Sequence, residues 1–449
     1  MEDIELTLTP DDYSLLTDLY QLTMAACYVG EHLDQRRASF EMTVRRLPER
    51  FGYLIAMGLA QALDYLEKFR FSSTQVEALQ SMGAFEHAPT QFWAVLQEAR
   101  FSGDVWAVPE GTAIFANEPL LRIEAPLWQA QLVETYLLNT LNYQTLVATR
   151  SARMRDVAGV DATLLEFGTR RAFSPQGALW AARAALAAGL DATSNVLAAV
   201  KLGRTPSGTM AHALVMALSA TEGTEAEAFT AFHRYFPGAP LLIDTYDTIA
   251  AARDLSEQMK AGLQLSGVRI DSGDLASLSQ QVRSLLPGVA IIASGDLDEW
   301  KIAELKAAGA CINGYGIGTQ LVTGSPVNGV YKLVEIDGIP VMKESPGKIT
   351  HPGRKQIFRR VENGIVQCDR LGLIHETPDH EQPLMQLVFK QGQRVQESDS
   401  LSTIAERTIA SVASLSASVR DIDQPESIPL DLSDDLSALI KKTRRKTTD

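Results

Sequence analysis

The run Ser207-Gly208-Thr209-Met210-Ala211-His212 has the residue types and the spacing of a phosphoryl-accepting histidine. Glycine and hydroxyl residues are typical of a helix start, where free backbone N–H groups attract phosphate. The run therefore predicts that His212 lies one turn inside a helix and is itself phosphorylated. The same residues also suit a helix cap followed by a half-buried imidazole, and the run alone leaves both interpretations open.

Polar, glycine-rich clusters follow most of the predicted strands in the middle of the chain. These clusters are Glu166–Arg171, Asp244–Asp247, Arg269–Asp274, Ser294–Asp296 and Gly316–Thr319. Backbone N–H groups in such turns bind phosphate, and the carboxylates suit ribose hydroxyls or a bridging Mg²⁺. Ser-Gly-Asp is also a common turn and helix cap, so no single cluster is decisive. Their recurrence at successive strand ends favours a phosphate-binding face.

Two arginines stand where a structural role is unusual. Arg269 lies within a mostly apolar strand, and Arg170 follows Gly168 and Thr169 in a loop. A guanidinium at a buried strand end is seldom structural unless it is paired, and its fork matches a carboxylate or a phosphate. The alternative is an internal ion pair, for instance between Arg269 and Asp244.

From about residue 160 onward, short apolar strands alternate with helices, and these strands and helices must position the polar clusters. The predicted strands are Thr163–Phe167, Pro240–Asp244, Val268–Asp271, Val289–Ala293 and Ile312–Tyr315, and the predicted helices include Leu179–Ala188, Thr248–Leu263, Leu275–Leu286 and Leu297–Ala308. Such repetition requires parallel strands with right-handed crossovers. A TIM-like barrel brings the strand ends to one catalytic face, whereas a doubly wound sheet aligns them along a crevice. The polar strand ends favour an α/β barrel.

The other segments predict a second, smaller α+β domain. A helix begins at Thr9–Asp12 and ends near Gly30, and three short β-like runs between residues 103 and 124 precede a long helix that begins at Pro126. Strand-like runs return after Val330. We predict an α+β domain of residues 1–125 with 331–430, a barrel domain of residues 126–330, and a disordered basic tail over residues 431–449.

Composition excludes several classes of protein. The 449 residues exceed the roughly 250–300 that one core supports, and 45% hydrophobic with 21% charged residues is typical of a soluble globular protein. A net charge of -14 disfavours nucleic-acid binding. No apolar stretch reaches the ~18 residues of a membrane span, and the opening residues are acidic where a signal peptide is basic. We therefore expect a cytoplasmic protein with neither a nucleic-acid nor a membrane partner.

Six collinear motifs between about residues 12 and 360 resemble those of the nicotinate phosphoribosyltransferase family, a type II phosphoribosyltransferase family. They are Asp18–Met24, Phe40–Pro48 with Phe51–Tyr53, Glu166–Arg170, Gly208–His212, Arg269–Asp274 and Gly314–Leu321. The resemblance implies an incomplete TIM-like barrel joined to an α+β domain, in a cytoplasmic homodimer with a shared active site. It also implies an ATP-dependent ligase of NAD salvage, which makes nicotinate mononucleotide and diphosphate from nicotinate and 5-phosphoribosyl 1-diphosphate through a phosphohistidine.

The resemblance assigns roles to individual residues. His212 is the phosphorylated residue; Tyr20, Thr209 and Arg269 contact nicotinate; Phe167 stacks on the pyridine ring; and Thr319 contacts the phosphoribosyl donor. Tyr20 belongs to the amino-terminal helix, so it is expected to reach the site of the other subunit; otherwise it is a plain aromatic on a helix face.

The chemistry of the reaction suggests the remaining site residues. The pyridine nitrogen carries no proton to remove, so catalysis depends on positioning and on stabilising a cationic ribosyl centre. We expect Asp271 and Asp274 to be catalytic, Asp271 and Asp296 to be candidate Mg²⁺ ligands, and Arg170, Gly295, Asp296 and Gly318 to complete the substrate site. A basic segment could meet ATP or diphosphate and contains Lys332, Lys343, Lys348, Arg354 and Lys355.

Three other functions remain open. A related enzyme could use nicotinamide or quinolinate, although nicotinamide lacks the carboxylate that an arginine favours, and quinolinate transfer needs neither ATP nor a phosphohistidine. A barrel aldolase or isomerase would require a lysine or a strong general base, and the strand-end clusters contain no lysine. A nonenzymatic, nucleotide-sensing barrel would not need so many charged groups at its strand ends.

Overall fold

A computed structural model describes residues 6–345, 349–395 and 397–448. The chain divides into two compact units: unit 1 is Met1–Leu146 with Pro326–Asp449, and unit 2 is Val147–Ser325. The first boundary lies after residue 146 and not after residue 125, because the intervening residues bond within unit 1. Gln131 donates a hydrogen bond to Gln21, and the Thr145 hydroxyl bonds the backbone of Met57.

Unit 1 is an α+β unit. Its strands are β1 (Arg37–Val44), β2 (Leu54–Ile55), β3 (Asp104–Ala107), β4 (Ala113–Ile114), β5 (Pro119–Pro126), β12 (Gly329–Ile336), β13 (Ile339–Pro340), β14 (Lys355–Glu362), β15 (Ile365–Leu373), β16 (Gln382–Pro383), β17 (Gln386–Lys390), β18 (Gln393–Arg394) and β19 (Leu430–Leu432). Its helices are α1 (Leu19–Gly30), α2 (Leu59–Glu67), α3 (Ser73–Gln80), α4 (Thr90–Gln97), α5 (Leu127–Leu132), α15 (Leu401–Ala413), α16 (Ala417–Arg420) and α17 (Asp434–Thr448). Helix α6 (Glu134–Ala158) begins in unit 1 and ends in unit 2.

The strands of unit 1 form three sheets within the described residues. The largest is antiparallel, in the order β13-β12-β1-β5-β3-β17-β18; the second has the order β16-β14-β15-β19, and β2 pairs with β4. All residues of strand β1 except Arg37 and Thr43 are buried, so side chains on both of its faces are covered. Among them, Glu41 forms an ion pair of 2.9 Å with the buried Lys355. Arg354 is likewise bound to Glu335 at 2.9 Å, and Lys348 lies outside the described residues. The charges of Arg354 and Lys355, two cations of the basic segment, are therefore already paired with carboxylates of the chain.

The amino-terminal helix starts later than its sequence signal. Thr9 bonds the Asp12 carboxylate through its backbone N–H and its hydroxyl, which closes a local turn. Helix α1 then begins at Leu19 and ends at Gly30.

The carboxyl-terminal tail is helical, so the prediction of disorder over residues 431–449 was wrong for α17 (Asp434–Thr448). Leu436 and Ile440 lie one turn apart and are buried in the same apolar cluster as Ile357 and Leu371. The Ser433 hydroxyl accepts a hydrogen bond from the Leu436 N–H at 3.1 Å and so caps the first turn. The basic residues at the end of the tail led to the prediction of disorder, although Leu436 and Ile440 have the spacing of an apolar helix face.

Unit 2 alternates strands and helices. Its strands are β6 (Thr163–Glu166), β7 (Ala192–Thr193), β8 (Leu241–Leu242), β9 (Gly267–Ile270), β10 (Ala290–Ser294) and β11 (Gly314–Ile317). Its helices are α7 (Pro175–Ala187), α8 (Val196–Lys201), α9 (His212–Glu222), α10 (Glu225–Tyr235), α11 (Thr248–Lys260), α12 (Leu275–Leu285), α13 (Glu299–Ala307) and α14 (Thr319–Val322).

The strand order of unit 2 confirms an incomplete barrel. Among the described residues the sheet has the order β7-β6-β11-β10-β9-β8, and each of its neighbouring pairs is parallel. The first strand of the unit, β6, pairs with the last, β11, as in a closed barrel; a doubly wound sheet does not pair these strands. The described strands β7 and β8 do not pair, so the barrel is open between them.

None of the helices in the described part of the chain combines the length and the apolar composition that crossing a membrane requires.

Replacing Leu436 with Ala should lower the free energy of unfolding by about 2–5 kcal/mol, because it leaves a cavity in a filled core. Denaturant unfolding followed by circular dichroism measures the change. The matched control is Lys441→Ala, an exposed position on the same helix, and it should leave stability unchanged. Equal stabilities of the two variants would contradict a packed tail.

Candidate functional site

A cavity of about 830 Å³ lies at the carboxyl ends of the strands of unit 2. The residues that line it lie at or beyond the carboxyl ends of five strands, and they include Phe167, Arg170, Arg171, Ser194, Ser207–His212, Arg269, Asp271, Ser294–Asp296, Gly316, Gly318 and Thr319. This is the end of a barrel at which active sites occur. Four of the five predicted strand-end clusters therefore meet here, whereas none of the residues Asp244–Asp247 is among those that line the cavity.

Two of the predicted site residues are not among those that line the cavity. Tyr20 belongs to unit 1, where it lies on α1 and is 48% exposed. Burial and the nearby Glu134 carboxylate raise the pKa of Tyr20, which keeps its hydroxyl protonated at neutral pH. The second residue is Asp274, whose carboxylate accepts a hydrogen bond from the Ser277 N–H at 3.2 Å and caps α12.

His212 faces the cavity from the first residue of α9. The prediction that it lies one turn inside the helix was wrong, because the preceding residue is extended, with φ -114° and ψ 158° at Ala211. No side chain caps this helix start, so the run does not serve as the cap that the alternative interpretation required. The imidazole is half-buried, and its Nδ1 lies 3.1 Å from the Thr245 hydroxyl oxygen. Thr245 thus fixes the orientation of the ring.

Arg269 presents a half-buried positive charge to the cavity. Its Nη1 donates a hydrogen bond of 2.7 Å to the Thr209 hydroxyl, while its Nε is buried without a hydrogen-bond partner among the described residues. Burial lowers the pKa of Arg269, although a guanidinium stays charged in proteins.

Asp244 does not form the internal ion pair with Arg269 that the sequence left open. Its Oδ2 accepts hydrogen bonds from the Asp271 N–H at 2.8 Å and from the Ser272 hydroxyl at 2.7 Å. In the described part of the chain Arg269 therefore has no ion-pair partner, and its charge is available to an anion in the cavity.

Phe167 supplies an apolar wall beside this guanidinium. The centre of its ring lies 5.9 Å from the Arg269 guanidinium carbon. The ring packs so closely on β11 that a Cβ atom at Gly316 would lie 2.4 Å from it. An aromatic face beside a free cation suits a flat, anionic ligand.

Two carboxylates and a glycine-rich turn also line the cavity. The Asp271 carboxylate accepts a hydrogen bond from the Ser294 hydroxyl, and Asp296 is exposed. Gly295 has a φ of +96°, and a Cβ there would lie 2.3 Å from the Asp271 carbonyl oxygen, so this position requires glycine.

Asp271 and Asp296 fit a Mg²⁺ ion that is shared with a substrate. Among the described residues no group of three His, Cys, Asp or Glu side chains could hold a metal by itself. Mg²⁺ is usually bound by one or two carboxylates together with substrate phosphates, and this pair meets that requirement.

The sequence missed three residues that support the site. Thr245 and Ser294 lie within the polar clusters, but nothing in the pattern distinguished them from their neighbours. Thr193 is the last residue of the two-residue strand β7, which is too short for a periodic signal, and its hydroxyl donates a hydrogen bond to the buried Glu166 carboxylate.

Comparison with known families covers nearly the whole chain. Residues 15–142 match the nicotinate phosphoribosyltransferase N-terminal domain, residues 162–362 match the nicotinate phosphoribosyltransferase family, and residues 367–440 match the nicotinate phosphoribosyltransferase C-terminal domain. A nicotinate phosphoribosyltransferase of Mycobacterium tuberculosis is 38% identical, over 97% of this chain and 95% of that protein. The Bacillus subtilis nicotinate phosphoribosyltransferase is 37% identical, over 96% and 95%.

Solved structures have the same fold. The crystal structure of human nicotinic acid phosphoribosyltransferase is similar with a TM-score of 0.83 and 30% identity, over 95% of this chain and 99% of that chain. The nicotinate-nucleotide pyrophosphorylase of Pyrococcus furiosus has a TM-score of 0.74 and 26% identity, over 92% and 99%.

Replacing Gly316 with Ala should lower the free energy of unfolding by about 1–3 kcal/mol, because the new methyl group overlaps the Phe167 ring. Thermal unfolding measures the effect. Gly238→Ala is the control, since a Cβ there meets nothing within 4 Å and its φ is not positive. Equal melting temperatures for the two variants would show that the Phe167 ring does not pack tightly against Gly316 of β11.

Proposed function

The chain belongs to the nicotinate phosphoribosyltransferase family, and we propose that it joins nicotinate to 5-phosphoribosyl 1-diphosphate, forming nicotinate mononucleotide and diphosphate. The observation that carries this proposal is the half-buried Arg269 guanidinium, which has no ion-pair partner among the described residues and lies beside the Phe167 ring. Nicotinate is a flat aromatic acid, so its carboxylate pairs with this cation while its ring lies on the aromatic face. The neutral amide of nicotinamide would leave the cation without a counter-charge.

Each residue of the cavity has a part in the proposed reaction. The pyridine nitrogen attacks C1 of the ribose as the bond from C1 to the diphosphate oxygen breaks. Arg269 and Thr209 hold the nicotinate carboxylate so that the nitrogen faces C1. Asp271 and Asp296 stabilise the positive charge that develops on the ribosyl centre. When bound, Mg²⁺ neutralises the departing diphosphate, and the same two carboxylates would hold it.

The proposal includes coupling to ATP through His212. The imidazole attacks the γ-phosphorus of ATP, the bond to ADP breaks, and water later releases inorganic phosphate from the phosphohistidine. The position of His212 at the start of α9 supports this step, since the positive end of the helix favours a phosphoryl group. Thr245 holds the ring in place.

We further propose a cytoplasmic homodimer in which Tyr20 contacts nicotinate in the partner's cavity. Its place in unit 1, on the exposed side of α1, supports a contact between subunits.

Mass detection of the nucleotide product tests the proposed activity. The protein is incubated with 5-phosphoribosyl 1-diphosphate and Mg²⁺, with and without ATP, and with nicotinate, nicotinamide or quinolinate in separate reactions. We expect a nucleotide from nicotinate, with ATP increasing its yield. A product from only nicotinamide or quinolinate would assign a different substrate, and no product from any base would overturn the proposal.

Replacing Arg269 with Gln should raise the KM for nicotinate by about 10–100-fold, the effect of losing a hydrogen-bonded charge pair. The KM for 5-phosphoribosyl 1-diphosphate should change much less. Arg253→Gln removes the same charge from an exposed position on α11 and should behave like the unmodified protein. An unchanged nicotinate KM in Arg269→Gln would place the carboxylate elsewhere.

Replacing His212 with Ala should abolish ATP hydrolysis and the stimulation of nucleotide synthesis by ATP, because the phosphoryl acceptor is lost. Phosphate release and nucleotide formation are measured in parallel. His87→Ala removes an exposed imidazole from unit 1 and serves as the control. Persistent ATP coupling in His212→Ala would disprove the phosphohistidine.

A further inference from the structure

Glu166 is a buried carboxylate that bonds two separate parts of the cavity wall. It is the last residue of β6 and is 1% exposed. One carboxylate oxygen accepts a hydrogen bond from the Gly168 N–H, and the other accepts one from the Thr193 hydroxyl. Thr193 is also 1% exposed, so water does not compete for these bonds.

The first of these bonds fixes the turn that carries Phe167. The Phe167 N–H donates to the Ile317 carbonyl at 2.7 Å, which ties the turn to β11. A Cβ at Gly168 would lie 2.9 Å from the Glu166 carboxylate and 2.4 Å from the Val322 side chain. The turn is therefore held between the carboxylate and α14, and the Phe167 ring has little freedom.

The second bond leads to the segment that carries His212. The Thr193 hydroxyl oxygen accepts a hydrogen bond from the Asn195 N–H at 2.9 Å, and Asn195 caps α8 through the Ala198 N–H at 3.0 Å. The Thr193 carbonyl accepts a hydrogen bond from the Ser207 N–H at 2.9 Å. Ser207 begins the Ser207–His212 run, so this run is anchored at its first residue on β7, which Glu166 holds.

The choice of a carboxylate at this position has an energetic cost. Within the described residues Glu166 has no ion-pair partner. Burial raises its pKa, and the hydrogen bonds from Thr193 and Gly168, followed by the charge of Arg170, act in the opposite direction. A buried charge without an ion pair is retained only where its hydrogen bonds require it. Here two donors approach different oxygens, and a glutamine side chain offers an acceptor to only one of them.

We propose that Glu166 is a positioning residue, which holds the aromatic wall and the His212 run in fixed relation so that ATP hydrolysis remains coupled to nucleotide formation. This inference depends on the proposed function, because it concerns the same cavity. Binding of the base against Phe167 is transmitted through the carboxylate and Thr193 to Ser207. Without the carboxylate, His212 is phosphorylated and dephosphorylated irrespective of whether the base is bound.

Variants at Thr193 test the link without altering the charge. Thr193→Val removes the hydroxyl at similar volume, and Thr193→Ser keeps it. We measure the KM for nicotinate and the amount of phosphate released from ATP per nucleotide formed. Thr193→Val should raise both by about tenfold, the effect of losing one hydrogen bond to a charged group. Thr193→Ser should stay within about twofold of the unmodified protein, as expected if the hydroxyl alone is required.

Glu166→Gln should show the same uncoupling as Thr193→Val, because one of the two donors loses its acceptor. If this variant fails to fold, the two Thr193 variants still decide the outcome.

Asp191→Asn provides a matched structural control. Asp191 accepts a hydrogen bond from the Leu164 N–H at 2.7 Å and pairs with Arg155 at 2.6 Å. Asp191 directly precedes β7 and Leu164 lies on β6, so this bond links the amino-terminal ends of the two strands that Glu166 and Thr193 link at their carboxyl ends. This variant should lower the melting temperature and leave the ratio of phosphate to nucleotide unchanged.

The outcomes separate the inference from the proposed function. If Thr193→Val lowers the melting temperature as Asp191→Asn does, with an unchanged ratio and nicotinate KM, Glu166 has only a structural role and the inference is wrong. If the unmodified protein forms no nucleotide from nicotinate, the proposed function fails and the inference fails with it.

Discussion

The parallel pairing of β6 with β11 is the constraint on which the whole cavity depends. Backbone hydrogen bonds continue from this pair into the loops, since the Phe167 N–H donates to the Ile317 carbonyl. The pairing therefore places the aromatic wall, which follows the first strand, next to Gly318 and Thr319, which follow the last. Residues more than 150 positions apart in the sequence, 151 between Phe167 and Gly318, become neighbours because the barrel closes at this point.

Much of the site was predictable because its chemistry lies at strand ends. Phe167, Asp271 and Asp296 each follow an apolar strand and Arg269 lies near the end of one, and the closure of a barrel brings such ends together. What the sequence could not supply was the local hydrogen bonding. Whether Asp274 faces a ligand or caps a helix depends on the backbone around Ser277, and both uses have the same sequence.

Short length and a misleading composition account for what the sequence analysis got wrong. Strand β7 has two residues, too few for a periodic signal, and β8 (Leu241–Leu242) is shorter than the predicted strand Pro240–Asp244 that contains it. The tail was misread because charge dominated its composition, although Leu436 and Ile440 have helical spacing. The family match over residues 367–440 shows that this last segment also belongs to the fold.

The gap between β7 and β8 has a consequence for how this scaffold can change. Helices α8, α9 and α10 follow one another between these strands, and no ladder of backbone hydrogen bonds within the described residues crosses the gap. Residues can therefore be added or removed along this connection without breaking a strand pair. His212 lies on this connection, at the start of α9, so changes in length between β7 and β8 would shift its imidazole while the paired strands β6 and β11 stay in register.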